Sequence, residues 1–304
     1  MSYTRNYNTN NKNVIKDLYD IIEKIGSGSF GDVYLSVNKL NPLKKIAAKV
    51  EKKNSKKERV YNEYKIYRKL HKRENMYGIP KVYEFVQTAD YNIMFMELLN
   101  VSLDEKFVEL KKKFELGTVI KLGIDIVKLL RVCHVNNYIH RDIKPNNFMI
   151  GRDENINKIY IMDFGLSKRY IDKEGNHIKF HKNRSLIGTA RYASINMHMG
   201  IEPSRRDDLE SVGYMLVYFL KGVLPWQGLK KKSKGKKHLV EIGNIKMSTS
   251  LDLLCDELPN CFKDYLKYCR ELGFDEDPNY EYLLLLFKKT AEDLGLDLNY
   301  EWIK

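Results

Sequence analysis

Three oxygen-bearing side chains, close together in the sequence, have the types and spacing that phosphate chemistry uses. Asp142 and Asn147 stand in H-R-D-I-K-P-N-N, and Asp163 opens D-F-G after the apolar run Ile159 to Met162. Moving a phosphoryl group needs little covalent help from a protein. It needs a carboxylate to orient the attacking hydroxyl and oxygen ligands to hold magnesium on the phosphates. Asp142 suits the first task, and the Asn147 amide and Asp163 carboxylate suit the second.

The elements around them read as follows. A strand from Tyr19 to Ile25 opens into G-S-G-S-F-G-D-V, in which Gly26, Gly28, Gly31 and Val33 form G-x-G-x-x-G-x-V around Ser27. Glycines there let backbone amides approach phosphates, although small-residue hairpins also produce the pattern. The strand Ile46–Ala47–Ala48–Lys49 ends on a cation placed 18 residues after Gly31. A helix-like segment, Lys57 to Leu70, follows, and within it Glu63 is the expected partner of Lys49. Glu58 is the alternative, near the helix start where a carboxylate suits the helix dipole. Two strands, K-V-Y-E-F-V-Q-T and N-I-M-F-M-E-L-L, meet at a turn around Ala89 and Asp90. From Leu116 to Asn136 apolar residues recur at Val119, Leu122, Ile126, Leu129 and Leu130, which predicts a buried helix delivering the chain to Asp142. A second buried helix, Ser204 to Leu220, is headed by Asp207 and Asp208. Asp208 is the candidate to hold the Asp142 loop by its backbone, with helix capping as the alternative for either acid.

Composition bounds the class. With 304 residues, 43% hydrophobic and 12% aromatic, the chain can bury a sizeable core and build two lobes around a cleft. Lys and Arg outnumber acids by 53 to 40, which favours anionic partners. Cys133, Cys255, Cys261 and Cys269 form no C-x-x-C pair and have no His cluster beside them, so reduced, apolar thiols are expected rather than zinc. Residues 1–17 are polar and read as a disordered leader, with no signal peptide and with Ser2 where myristoylation needs glycine. No stretch is apolar enough to span a bilayer.

Taken together, these segments resemble a protein kinase, and more narrowly the casein kinase 1 family, over residues 18 to 302. H-R-D-I-K-P, D-F-G-L, L-I-G-T-A-R-Y-A-S-I-N, S-R-R-D-D-L-E-S, L-P-W-Q-G-L-K, K-M-S-T and F-D-E-D-P-N-Y-E-Y-L carry the resemblance, with Ser194-Ile195-Asn196 where most kinases have A-P-E. It implies an α+β, two-lobed fold: a small antiparallel-sheet N-lobe (18–97) with one main helix, a hinge (97–102) and a mainly helical C-lobe (103–304). It implies an ATP- and Mg2+-dependent serine/threonine phosphotransferase, the type marked by Lys144. Asp142, Lys144, Lys49 and Glu63 would be catalytic, and Asn147 and Asp163 would hold the metal. Ile25, Gly26, Ser27, Gly28, Gly31, Val33, Ala47, Lys49, Met96, Glu97, Leu99 and Met149 would bind the nucleotide. Met96 would back the adenine, Met149 would floor it, and Glu97 to Leu99 would offer it backbone groups.

The family prefers acidic or phosphate-primed protein substrates. Arg191, the Gly228 backbone and Lys237 are the implied phosphate-recognition residues, with Arg141 and Lys168 as a second anion contact. The run K-K-K-S-K-G-K-K, 230–237, also reads as a solvated loop or a nuclear import signal, so cytoplasmic and nuclear locations are both expected. No membrane, no specific nucleic acid and a monomer are expected. Asn146 departs from the family's usual Asp but removes no motif ligand. The chain ends at Lys304, so regulation by a long tail is not expected. A vaccinia-related type of kinase and a nucleotide-binding pseudokinase scaffold are the alternatives. The K-M-S-T and L-P-W-Q-G-L-K context argues against the first and the full catalytic set against the second.

Overall fold

The computed structural model describes residues 18–28, 31–53, 58–71, 77–228 and 235–303. The expected leader, 1–17, and most of the basic run, 230–234, lie outside the described residues. Two compact units emerge: residues up to Asn100 together with Asp163–Gly165, and Val101–Met162 with Leu166 onward.

The first unit is a five-stranded antiparallel sheet in the order β1-β2-β3-β5-β4, formed by β1 (Tyr19–Gly28), β2 (Gly31–Asn38), β3 (Asn41–Lys52), β4 (Val82–Gln87) and β5 (Tyr91–Glu97). One helix, α1 (Arg59–Leu70), lies in sequence between β3 and β4. Strand period two explains the faces. Ile46 and Ala48 of β3 join Tyr19, Val86, Ile93 and Phe95 in the core, with Tyr19 stacked on Phe95 at 3.9 Å between ring centres. Ala47 and Lys49 alternate with them. In α1 the buried residues Val60, Glu63, Tyr67 and Leu70 follow helical spacing, so Glu63 lies on the inward stripe. Glu58, by contrast, is exposed and caps nothing with its side chain. The first turn is served from β3 instead: the Arg59 and Val60 amides donate to Glu51 at 3.2 and 3.4 Å. β3 also starts earlier than the sequence suggests, at Asn41, because it pairs with β2 through Val37↔Lys45 and Asn38↔Asn41.

The second unit is mainly helical. It contains α2 (Leu103–Glu109), α3 (Leu116–Val135), α4 (Ile195–His198), α5 (Arg205–Lys221), α6 (Lys236–Ser248), α7 (Leu251–Leu254), α8 (Asn260–Glu271) and α9 (Tyr280–Asp293). Two short antiparallel pairs complete it: β6 (Tyr138–Ile139) with β9 (Lys168–Arg169), and β7 (Phe148–Ile150) with β8 (Ile159–Ile161). α3 and α5 are buried along most of their lengths, α3 through a largely apolar sequence and α5 through an apolar C-terminal half that follows buried acids, Asp207, Asp208 and Glu210. The loop Arg141–Asn147 lies between β6 and β7. All four cysteines are buried free thiols. Among the described residues no helix is long and apolar enough to cross a membrane.

Candidate active site

In the first unit Lys49 is the centre of a charge cluster. Its Nζ lies 2.7 Å from Glu63 Oε2 and 3.0 Å from Asp163 Oδ1. Burial pulls against the ammonium, but the two carboxylates outweigh it and leave its pKa above the ordinary lysine value. Burial pushes the Glu63 carboxyl up to about 7 against the pull of Lys49. Of the two candidate partners, the structure pairs Lys49 with Glu63. Tyr67, one turn on, accepts the Asp163 amide at 3.2 Å and meets Phe164 edge-to-face at 5.0 Å. These bonds hold the D-F-G backbone while Asp163 adopts φ +62°, a left-handed conformation uncommon for a non-glycine residue.

The glycine-rich segment is the β1–β2 hairpin, paired Gly26↔Val33, Ser27↔Asp32 and Gly28↔Gly31, with the register broken around Ile25. Ser27 donates to Asp32 at 2.7 Å and Lys24 pairs with the same carboxylate at 2.8 Å. Gly31 cannot be replaced without a shift, since a Cβ there would stand 2.3 Å from the Val50 carbonyl oxygen. Val33 sits opposite Lys49, and Ala47 opposite Met96, across the sheet. Met96 and Leu99 are buried. The Glu97 amide donates to Lys81 O at 2.8 Å, and the Lys81 amide donates back to Glu97 Oε2 at 2.9 Å.

In the second unit Asp142 is buried, and each of its carboxylate oxygens accepts a hydrogen bond. Lys144 Nζ donates to its Oδ2 at 2.6 Å, and the Thr189 hydroxyl donates to its Oδ1 at 2.9 Å. Asn147 Nδ2 donates to the Asp142 carbonyl at 2.7 Å and to Oδ2 at 3.2 Å. That uses the amide's donor end and leaves its oxygen, a hard donor of the kind Mg2+ takes. The Asp142 amide donates to His140 Nδ1 at 3.3 Å, so Nε2 carries the proton toward Met162 O at 2.9 Å. Met149 lies on β7, in register with Tyr160 of β8 and bridged to Ser102.

Asp208 holds this loop from α5. Its Oδ2 accepts the His140 amide at 2.6 Å and its Oδ1 the Arg141 amide at 2.8 Å. Burial opposes its charge, but His134, His140 and the Arg141 amide outweigh it and keep the carboxyl below the usual range. Capping falls to its neighbour: Ser204 N donates to Asp207 Oδ2 at 2.7 Å, and Ser194 of S-I-N donates to Asp207 Oδ1 at 2.5 Å. Both readings of the paired acids therefore hold, one for each residue.

The anion-recognition candidates are arranged unevenly. The Arg191 guanidinium lies 5.7 Å from the Tyr192 ring centre and 5.5 Å from that of Tyr218, and Trp226 Nε1 donates to its carbonyl at 2.7 Å. That bond ties the Trp226–Gly228 turn to Arg191. Lys237 is exposed on the first turn of α6. Arg141 and Lys168 already have internal partners, Leu166 O at 2.7 Å and Glu202 Oε1 at 2.7 Å. Glu202 also pairs with Arg184 Nε at 2.8 Å, so an incoming anion would compete with a carboxylate for these cations. Sequence reasoning missed Arg184, Glu202, Thr189 and Tyr67. Thr189 alone had a signal, its place in G-T-A-R-Y beside Arg191.

Gly188 explains how the segment carrying Thr189 comes so close. At φ +78°, a Cβ would stand 2.4 Å from the Arg141 carbonyl oxygen, a gap that only glycine leaves open. This geometry agrees with a comparison of the sequence against known families, in which residues 19–277 match the protein kinase domain. Proteins of this family transfer phosphate from ATP, with a divalent metal, to protein substrates. A match over most of the chain, on a sheet-built unit carrying Lys49 and Asp163 and a helical unit carrying Asp142, shows that this chain belongs to the protein kinase domain family and is a phosphotransferase of the two-lobed kinase fold.

Proposed function

We propose that the chain is a serine/threonine kinase of the casein kinase 1 type that moves the γ-phosphate of ATP onto acidic or phosphate-primed proteins. Asp142 orients the acceptor hydroxyl, with Lys144 offsetting charge at Oδ2 and Thr189 steadying Oδ1. Lys49, held by Glu63, neutralises the nucleotide's α and β phosphates. The Asn147 oxygen and the Asp163 carboxylate would hold Mg2+, which would neutralise charge developing on the phosphates. The hairpin residues Ile25, Gly26, Ser27, Gly28, Gly31 and Val33 and the positions Ala47, Met96, Glu97, Leu99 and Met149 serve the nucleotide. The kinase region runs from 18 to 304 and works as a monomer in the cytoplasm and the nucleus.

The observation that carries the substrate reading is Arg191, whose backbone is fixed by Trp226 while its guanidinium rests over two tyrosine rings. A cation preorganised in this way suits a phosphate three residues before the target, with the Gly228 amide and Lys237 as further donors. Charge-assisted hydrogen bonds contribute about 1.5–3 kcal/mol each when well formed. Exposure and salt reduce that to roughly tenfold in preference. The test compares a phosphoserine-primed peptide with its unphosphorylated twin. Arg191→Ala with Lys237→Ala should erase the preference while turnover of the unprimed peptide falls much less. Lys231→Ala, which lies outside the described residues, is the control. Equal loss of selectivity in the control would show a diffuse field instead of a site.

A further inference from the structure

A lysine outside the Lys49–Glu63–Asp163 cluster and the Asp142 loop is wholly buried. Lys246, the first residue of K-M-S-T, has no solvent exposure, yet its amine is satisfied. Nζ donates to Ala190 O at 2.9 Å and to Ala193 O at 2.5 Å. It also lies 4.9 Å from the ring centres of both Tyr214 and Trp226. Burying an ammonium is costly without such partners, so the site is built around it. Tyr214 and Glu210 come from α5, Arg270 from α8 and His198 from α4. Glu210 accepts the Tyr214 hydroxyl at 2.5 Å and the Ile195 amide at 3.1 Å, and Arg270 donates to Tyr214 at 3.0 Å. His198 Nε2 faces Ala190 O at 3.2 Å.

The carbonyls held are not scattered. Ala190 and Ala193 are tied by Lys246, and Arg191, between them, is tied by Trp226 Nε1 at 2.7 Å. Thr189, next to Ala190, is the residue whose hydroxyl meets Asp142 Oδ1. Fixing three carbonyls within four residues fixes the peptide planes on which Thr189 and Arg191 are mounted. An amine keeps two N–H donors whether or not it is charged, so both bonds to carbonyls survive either protonation state.

We infer that Lys246 and Trp226 form a clamp on the Thr189–Ala193 loop, and that Lys246 is a positioning residue for the acceptor substrate. The clamp holds Thr189 against Asp142 and presents Arg191 to the incoming chain. The inference rests on Asp142 being the residue that orients the acceptor hydroxyl. It adds a specificity role for two buried side chains that touch neither ATP nor substrate.

The experiment measures KM for peptide, KM for ATP and kcat on Lys246→Met, Lys246→Arg and Trp226→Phe, with melting temperatures for each. Lys246→Met keeps the apolar stem and removes both donors. It should raise the peptide KM on the order of tenfold, as a displaced positioning loop does, and leave the ATP KM unchanged. Lys246→Arg should recover most of the peptide KM. Trp226→Phe should show the same split between the two KM values. A Lys246→Met protein with wild-type peptide KM overturns the clamp, as do equal rises in both KM values or an Arg variant no better than Met. If Lys246→Met shows no cooperative melting, Trp226→Phe decides: a selective rise in peptide KM supports the clamp and an unchanged one overturns it. Asp142→Asn separates the two claims. Should that variant keep transferring phosphate, the orienting role fails and the clamp with it; should it be inactive while Lys246→Met binds peptide normally, the clamp alone fails.

Discussion

The Asp208 carboxylate accepts the Arg141 backbone amide at 2.8 Å, and Arg141 at that point adopts φ +69°. A left-handed arginine persists only where its surroundings over-determine it. Here one carboxylate grips two successive amides, His140 and Arg141, and so aims the next residue, Asp142. Asp208→Asn replaces one acceptor oxygen by a donor facing an amide hydrogen. The variant should lose roughly 3 kcal/mol of stability, as expected when a buried charged hydrogen bond is broken. Its kcat should fall while its ATP KM changes little. Denaturant midpoints and steady-state kinetics check both.

A second expectation concerns the register of α1. Lys49→Met and Glu63→Gln should each lower kcat/KM by roughly a hundredfold or more, because positioning of the phosphates is lost. Glu58→Ala should leave it unchanged, since that side chain is exposed and outside the charge cluster. Kinetics in which Glu58 is essential and Glu63 dispensable would contradict the pairing.

A third expectation is a pH dependence. Burial, with Lys246 nearby, pulls the His198 pKa from 6.5 down to about 4. The unfolded chain therefore binds a proton between these values that the folded chain refuses, and stability falls as pH drops through this window. Melting temperatures measured between pH 7.5 and 5 should fall more for the wild type than for His198→Gln. Parallel slopes would show that His198 is not the group responsible.

Much of this site was legible because its residues are near one another along the chain. Asp142, Asn147 and Asp163 fall within one short stretch, and Lys49 ends a strand whose apolar character is plain. Glu63 was separable from Glu58 by helical spacing alone, since only Glu63 shares a face with Val60, Tyr67 and Leu70. What stayed hidden depends on contacts made across the fold. Glu51 serves the start of α1 from a strand, a pairing no local pattern announces. Lys246 looks like an ordinary surface lysine until α6 is packed against the Ala190–Ala193 carbonyls. Lys168 looks like a ready anion contact until Glu202, 34 residues on, is found bonded to it.

Asp163 and Asp142 are proposed to serve phosphoryl transfer from ATP. The most direct measurement is the initial rate of γ-phosphate transfer from radiolabelled ATP and Mg2+ to a phosphoserine-primed peptide, with wild-type protein beside Asp163→Asn and Asp142→Asn variants of matched melting temperature. The wild type should transfer label, and each variant should be slower by at least roughly a hundredfold. An Asp163→Asn protein that phosphorylates the peptide at close to the wild-type rate would show that Asp163 does not serve the transfer.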